Sequence, residues 1–190
     1  MTLARIISST PKERPMATQT FFIEQIPTPT GLMCLVTDSD GRVRALEWND
    51  LQARLQRMLQ RYYGRDTVTL ETRPSPSTAR AALERYFSGD LNAVDSIAVA
   101  TNGTLFQREV WTALRRIPPG HTLSYGALAK TIGRPAAVRA VGLANGSNPI
   151  GIVVPCHRVI GADRSLTGYG GGLDRKRWLL RHEGVIVDSH

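Results

Sequence analysis

The chain has 190 residues, 42% hydrophobic and 21% charged, with two cysteines. That composition suits a soluble globular protein of one large domain or two small ones. No apolar run approaches the ~20 residues of a membrane helix and no signal-peptide core is visible, so no membrane partner is expected. The net charge of +8 is uneven: residues 1–100 hold 12 basic and 11 acidic side chains, whereas residues 101–190 hold 12 and 5. A basic half of this kind points to a polyanionic partner, with plain solubility charge as the alternative.

Residues 1–18 are polar and without periodicity, which predicts a flexible tail, or an upstream start with Met16 as a second one. Phe21–Ile26, Leu32–Thr37 and Val43–Trp48 are short apolar runs separated by turn clusters, the pattern of a three-stranded antiparallel sheet. Leu51, Leu55, Met58, Leu59 and Tyr62 then recur at helical spacing behind Asp50 as N-cap, and a second helix spans Thr78–Phe87. Asp90–Gly103 reads as a connector with a short strand at Ile97–Ala100. Nothing in residues 20–103 has the look of chemistry. Cys34 sits mid-strand as a packed thiol, and no ligand cluster suggests a metal. The division expected is a tail at 1–18, an α/β domain at 19–90, a connector at 91–103 and a second domain at 104–190.

The second half opens with a capping box at Thr104–Gln107 and a helix whose apolar face is Phe106, Val110, Trp111, Leu114 and Ile117. Ser124 caps a helix over Tyr125–Ile132, stopped by Gly133, and Pro135 opens another over Ala136–Asn145. Two short helices joined by a tight glycine turn make a helix-turn-helix unit, though many small helical proteins share that spacing. The second of them is rich in small residues (Ala136, Ala137, Ala140, Gly142, Ala144), with Val138 and Val141 inward and Arg139 at another angle. Small side chains let a helix approach a second surface closely, either a partner or a neighbouring helix. After Asn145–Pro149, a turn-rich connector, and a core strand, residues 161–172 form a Gly-rich loop. It lacks the Gly-Lys-Ser/Thr terminus of a phosphate loop and reads as a pocket lining. A last helix, Asp174–His182, presents Arg175, Lys176, Arg177 and Arg181 as a basic face. Glu183-Gly184 ends it, and Val185–Val187 reads as a closing strand.

The core strand is where the chemistry gathers. In Ile152–Ile160 an apolar run is interrupted by Pro155, Cys156, His157 and Arg158. An inert buried Cys needs no polar neighbours. A thiol beside an imidazole and a guanidinium is where a lowered thiol pKa is expected, and the thiolate is the nucleophile. Two widely spaced cysteines, one of them reactive in character, suit a reducing, cytoplasmic compartment.

The run Val154-Pro155-Cys156-His157-Arg158-Val159-Ile160 resembles the signature of the O6-alkylguanine-DNA alkyltransferases (methylated-DNA–protein-cysteine methyltransferases), in their bacterial form. The resemblance extends from about Phe22 to Val187 and is dense from Thr104 to Gly184. It implies an α+β fold. An N-terminal ribonuclease H-like domain, with the three-stranded antiparallel sheet and its helices, would precede a C-terminal winged-helix-like helix-turn-helix domain carrying DNA binding and catalysis. The implied activity is direct-reversal repair: irreversible transfer of an alkyl group from guanine O6, and from thymine O4, to Cys156, one turnover per molecule, with nucleotide flipping. The implied partner is double-stranded DNA containing O6-alkylguanine, met by a monomer, with cooperative assembly on DNA left open. No cofactor and no metal are implied.

By the same resemblance His157 takes the thiol proton through a water, Glu183 orients His157, and Tyr125 hydrogen-bonds the departing guanine. Arg139 acts as a finger filling the flipped nucleotide's place. Ala136, Ala140, Ser124 and Thr122 lie on the DNA face, and Asn148 is a hinge between the recognition helix and the active segment. Tyr169, Gly170, Val159 and Gly151 border the pocket. Gly170 stands where relatives carry Ser or Ala and Gly151 where some carry Pro, which suggests a roomier pocket. Without the resemblance, Glu183 reads as a surface residue at a helix end, Tyr125 as a core tyrosine and Asn148 as an ordinary turn residue. Arg158 is expected to bond backbone carbonyls. Two readings from other classes stand beside this one. A helix-turn-helix regulator leaves the Pro-Cys-His-Arg run unexplained. A Cys-His hydrolase needs an oxyanion hole that the sequence does not supply.

Overall fold

The computed structural model describes residues 18–186. All of the predicted tail except Thr18, together with Val187, lies outside them. Strands β1 (Gln19–Thr28), β2 (Gly31–Thr37) and β3 (Val43–Trp48) form the expected antiparallel sheet. A fourth strand, β4 (Val68–Thr72), adds to it parallel to β1, giving the order β3-β2-β1-β4. Four of its five residues are exposed, so it carries little of the apolar signal that marks a strand in sequence. The predicted strand at Ile97–Ala100 is a single parallel bridge between Val99 and Val43.

Helix α1 (Gln52–Tyr63) begins after a 3-10 turn at Asn49–Leu51, so Asp50 does not cap it. Its inward residues are Leu55, Met58, Leu59 and Tyr63, while Tyr62 donates its hydroxyl to the Ser147 carbonyl at 2.6 Å and ties the two halves together. Helix α2 (Thr78–Phe87) falls where the sequence puts it, capped by Ser77.

In the second half, α3 (Leu105–Leu114) starts on the predicted box, with Thr104 and Gln107 each accepting from the other's backbone. Strand β5 (Leu123–Ser124) leads into α4 (Tyr125–Thr131). After the turn at Gly133 (φ +71°) comes α5 (Val138–Gly146). Pro135 and Ala136 belong to that turn rather than to the helix. Val141 is buried as expected, but Val138 is 40% exposed. Strand β6 (Val159–Ile160) pairs parallel with β5, and α6 (Leu173–His182) closes the described chain. Val185 and Ile186 are coil, not strand.

One hydrophobic core spans both halves. Leu46, Trp48, Leu83 and Tyr86 from the first pack in the same cluster as Val110, Leu114, Ile150, Cys156 and Leu179 from the second. Burying side chains of this size stabilises by about 1.5–3 kcal/mol each. The seam between the halves is therefore held by packing, and the Cys156 segment lies in it. Among the described residues no helix is long and apolar enough to cross a membrane, and no group of three potential metal ligands occurs.

Candidate active site

The apolar run before Cys156 is not the core strand its composition suggests. Ile152 has φ +68°, a left-handed conformation that a β-branched residue adopts at a cost of about 1–3 kcal/mol, and it is fully buried. Asn148 holds the bend. Its amide nitrogen donates to the Val154 carbonyl at 2.7 Å and its oxygen accepts from the Ile150 N–H at 3.0 Å. Side-chain bonds thus replace the ladder of a sheet. Pro155 leads into a 3-10 turn over Cys156–Arg158, from which β6 departs. Asn145, at the buried side of α5, donates to the Cys156 carbonyl at 3.4 Å, so helix and nucleophile segment are joined directly.

Cys156 is 7% exposed and borders a small cavity of about 20 Å³ with Trp48, Glu47, Arg54, Asn145, Asn148, Gly151, Tyr169 and Gly170. Burial raises its thiol pKa. The Asn148 hydrogen bond and the positive charges of Arg54 and Lys176 oppose that rise without cancelling it. The lowered pKa expected from His157 and Arg158 is therefore not found: at rest the sulfur keeps its proton and ionisation needs a base.

His157 is fully buried, and burial drives its pKa down, keeping the imidazole neutral. Its Nε2–H donates to Glu183 Oε1 at 2.9 Å, which leaves Nδ1 as the basic nitrogen, and that atom has no partner among the described residues. Glu183 is 3% exposed, not a surface residue at a helix end. It also accepts from Arg158 Nε and Nη2, both at 2.8 Å, and from the Tyr86 hydroxyl at 2.8 Å. Burial would push its carboxyl up, but the bonds from His157 and Arg158 outweigh that and hold it at about 2. Among the described residues Arg158 meets one backbone carbonyl, that of Ile117; its main partner is Glu183.

Tyr125 is half-buried at the start of α4. Thr167 Oγ1 donates to its hydroxyl at 3.2 Å, which leaves the phenolic proton unspent. Its ring faces Gly142, where a Cβ would stand 3.8 Å away, an ordinary contact. Neither Tyr125 nor Val159 lines the cavity at Cys156. Val159 is fully buried in the core and its carbonyl accepts from Lys176. Gly151 and Tyr169 do line it, and the Tyr169 hydroxyl is buried without a partner among the described residues. Arg139 and Ala140 are exposed on α5 and Ala136 is exposed in the turn before it. Leu143, 72% exposed, extends that face by one helical turn. Ser124 Oγ is occupied in capping α4, and Thr122 is half-buried in the preceding loop.

Several residues escape a reading of sequence alone. Lys176 is not on a basic face: it is fully buried and donates to the carbonyls of Val159 at 2.6 Å and Thr167 at 3.0 Å, pinning the Gly-rich loop to β6. Burial lowers its pKa to about 8. Arg175 is also committed, lying over the Trp48 ring at 4.8 Å and bonded to Asp50 and the Thr30 carbonyl. Trp48, Glu47, Arg54 and Tyr86 come from the half that shows no chemical motif. Only their unusual residue types in apolar surroundings hint at a role, such as Glu47 between Leu46 and Trp48.

The expectation of a roomier pocket also fails at Gly170. A Cβ there would stand 2.5 Å from Nη2 of Arg54 and 2.7 Å from its Cζ, so the space is taken by the guanidinium. At Gly151 the nearest atoms are 3.7 Å away or more, so a Cβ would fit there in ordinary contact.

Comparison with known proteins places the chain in a family. Residues 105–185 match the family model described as 6-O-methylguanine DNA methyltransferase, DNA binding domain. The methylated-DNA–protein-cysteine methyltransferase of Shigella flexneri is 48% identical over 164 residues, 86% of this chain and 96% of the relative. That of Salmonella typhimurium is 49% identical over the same length. Among solved structures, Mycobacterium tuberculosis OGT in complex with DNA superposes with a TM-score of 0.70 at 41% identity, covering 86% of this chain and 92% of the other. The chain belongs to the methylated-DNA–protein-cysteine methyltransferase family.

Proposed function

We propose that this protein repairs duplex DNA by moving the alkyl group of O6-alkylguanine to Sγ of Cys156, once per molecule, after the nucleotide has turned out of the helix. The observation that carries the reading is the arrangement next to the nucleophile: Cys156 at a cavity wall, its chain neighbour His157 neutral with Nδ1 unpartnered among the described residues, and Glu183 bonded to His157 and fixed by four donors in all. His157 Nδ1 accepts the thiol proton through a bridging water. The thiolate attacks the alkyl carbon, the S–C bond forms and the C–O6 bond breaks, its electron pair passing to the guanine. Glu183 stabilises the imidazolium meanwhile. The proton then returns to the base, leaving neutral guanine and a thioether. Tyr125, whose proton is unspent, donates to the charge that develops on the purine. Thymine O4 presents the same alkyl ether chemistry. A thioether is a poor substrate for any nucleophile this site offers, so the reaction stops after one turnover.

Residues 104–190 form the DNA-binding and catalytic domain in this reading. The exposed side of α5, with Arg139, Ala140 and Leu143, enters the duplex behind Ala136, and Arg139 fills the gap left by the flipped nucleotide. Asn148 and Asn145 hold the sulfur in register with that helix. The protein acts as a monomer. Cys156→Ala is the test: it should take up no label from duplex carrying a labelled O6-methyl group while still binding that duplex. Label on the variant would end the assignment.

A further inference from the structure

The wall of the cavity opposite Cys156 is built by the first half of the chain, and one side chain there decides its size. Arg54, on the first turn of α1, reaches across to the second half. Its Nη1 pairs with Oε2 of Glu47, its Nη2 donates to the Gly146 carbonyl at 3.2 Å, and its guanidinium lies over the backbone of Gly170. Glu47 is 1% exposed, so the carboxylate is fixed, whereas the Arg54 side chain is 23% exposed and has a way out to solvent. With the guanidinium in place the cavity holds about 20 Å³. That is about the room of one water molecule, not of an alkylated purine. Something must move before a base can enter, and Arg54 is the lining group with both a partner to leave and solvent to enter.

We propose that Arg54 is the specificity-determining gate of the alkyl pocket, latched by Glu47 and seated on Gly170, and that it restricts transfer toward small O6-substituents. The proposal rests on the alkyl-transfer reading above. Entry of the base moves the guanidinium for either substrate; a methyl group lets it stay near Glu47, whereas a benzyl group demands its full departure. Gly170 then has a reason of its own: it is the seat for the guanidinium, not spare room for substrate. A side chain at 170 would evict Arg54 and open the pocket.

The test compares one duplex sequence carrying either O6-methylguanine or O6-benzylguanine, with single-turnover rates of Cys156 alkylation. Arg54 also supplies positive charge near the sulfur, and losing that charge should slow both substrates alike. The benzyl-to-methyl rate ratio therefore isolates the gate. If the gate is open in about a tenth of molecules for the larger group, removing it raises the ratio about tenfold. Arg54→Ala should show this rise. Glu47→Gln, which loosens the latch, and Gly170→Ser, which displaces the guanidinium, should show it in smaller measure, and these two serve if Arg54→Ala folds poorly. An unchanged or lower ratio in folded variants overturns the gate. Failure of the wild-type protein to alkylate Cys156 from either duplex overturns the transfer reading instead.

Discussion

Two buried carboxylates stand on either side of the candidate site, and they are held in opposite ways. Glu183 receives donors from Tyr86, His157 and Arg158, all of them buried. Glu47 pairs with Arg54, a side chain with an exposed flank, and accepts from the Trp48 N–H at 3.1 Å. The first arrangement has little freedom: both carboxylate oxygens are engaged by donors that are themselves packed in place, which suits a group that must keep an imidazole in one tautomer. The second has a single ion pair to a partly exposed side chain, which suits a group that must let something pass. In this proposal the first half of the chain supplies the movable wall, and the rigid proton relay lies in the second half with Tyr86 of the first half as one of its donors.

The comparison breaks most sharply at Glu183. Glu183→Gln leaves Arg158 buried without its counter-charge and should cost about 3–5 kcal/mol, with alkylation slowed about a hundredfold or more as His157 loses the negative charge that stabilises its protonated form. Denaturant unfolding and single-turnover rates measure the two effects. If neither changes, Glu183 does not hold a rigid relay. Arg139→Ala comes next. It leaves both carboxylates alone and should slow repair in duplex about tenfold or more while sparing reaction with free O6-benzylguanine. Equal losses on both substrates would remove the finger role.

Acid stability sharpens the same contrast. The folded Glu183 carboxyl is held at about 2 against an ordinary 4.5, so the stability it contributes is complete above 4.5 and is lost as pH falls toward 2. His157 acts in the same direction at a higher pH. Its folded pKa lies below the ordinary 6.5, so the unfolded chain binds the proton first and stability begins to fall below that value. Thermal midpoints from about pH 7 to about pH 3 should therefore decline in two stages, and Glu183→Gln should flatten the lower one. The smallest effect is that of salt on DNA binding by variants at exposed Arg108, Arg116 or Lys130. Each phosphate contact removed should lower the slope of log K against log salt by about 0.9. An unaltered slope would exclude that side chain from the DNA face.

Much of the architecture could be read from sequence because it rests on local signals. The meander follows its turn clusters, α2 its helical spacing of apolar residues, and α3 its capping box. Strand β4 escaped because an exposed edge leaves no apolar alternation. The Cys156 segment was legible as chemistry but not as shape: a run of Ile, Val, Val reads as strand, whereas Asn148 and a left-handed Ile152 fold it into a bend. Lys176 looked like a surface charge because its two neighbours in sequence are charged, yet α6 turns it inward to two carbonyls. Arg54, Glu47 and Tyr86 are distant from Cys156 along the chain and carry no motif. Only the packing of the two halves brings them to the site.

The central claim is that the sulfur of Cys156 is the acceptor and is consumed. Incubation with an excess of duplex carrying O6-methylguanine, followed by intact-mass measurement and peptide mapping, tests it most directly. The account predicts a single added methyl group per molecule, located on the peptide containing Cys156, with Cys34 unmodified and no further lesion repaired. Repair of several lesions per molecule, or a methyl group on any other residue, would contradict it.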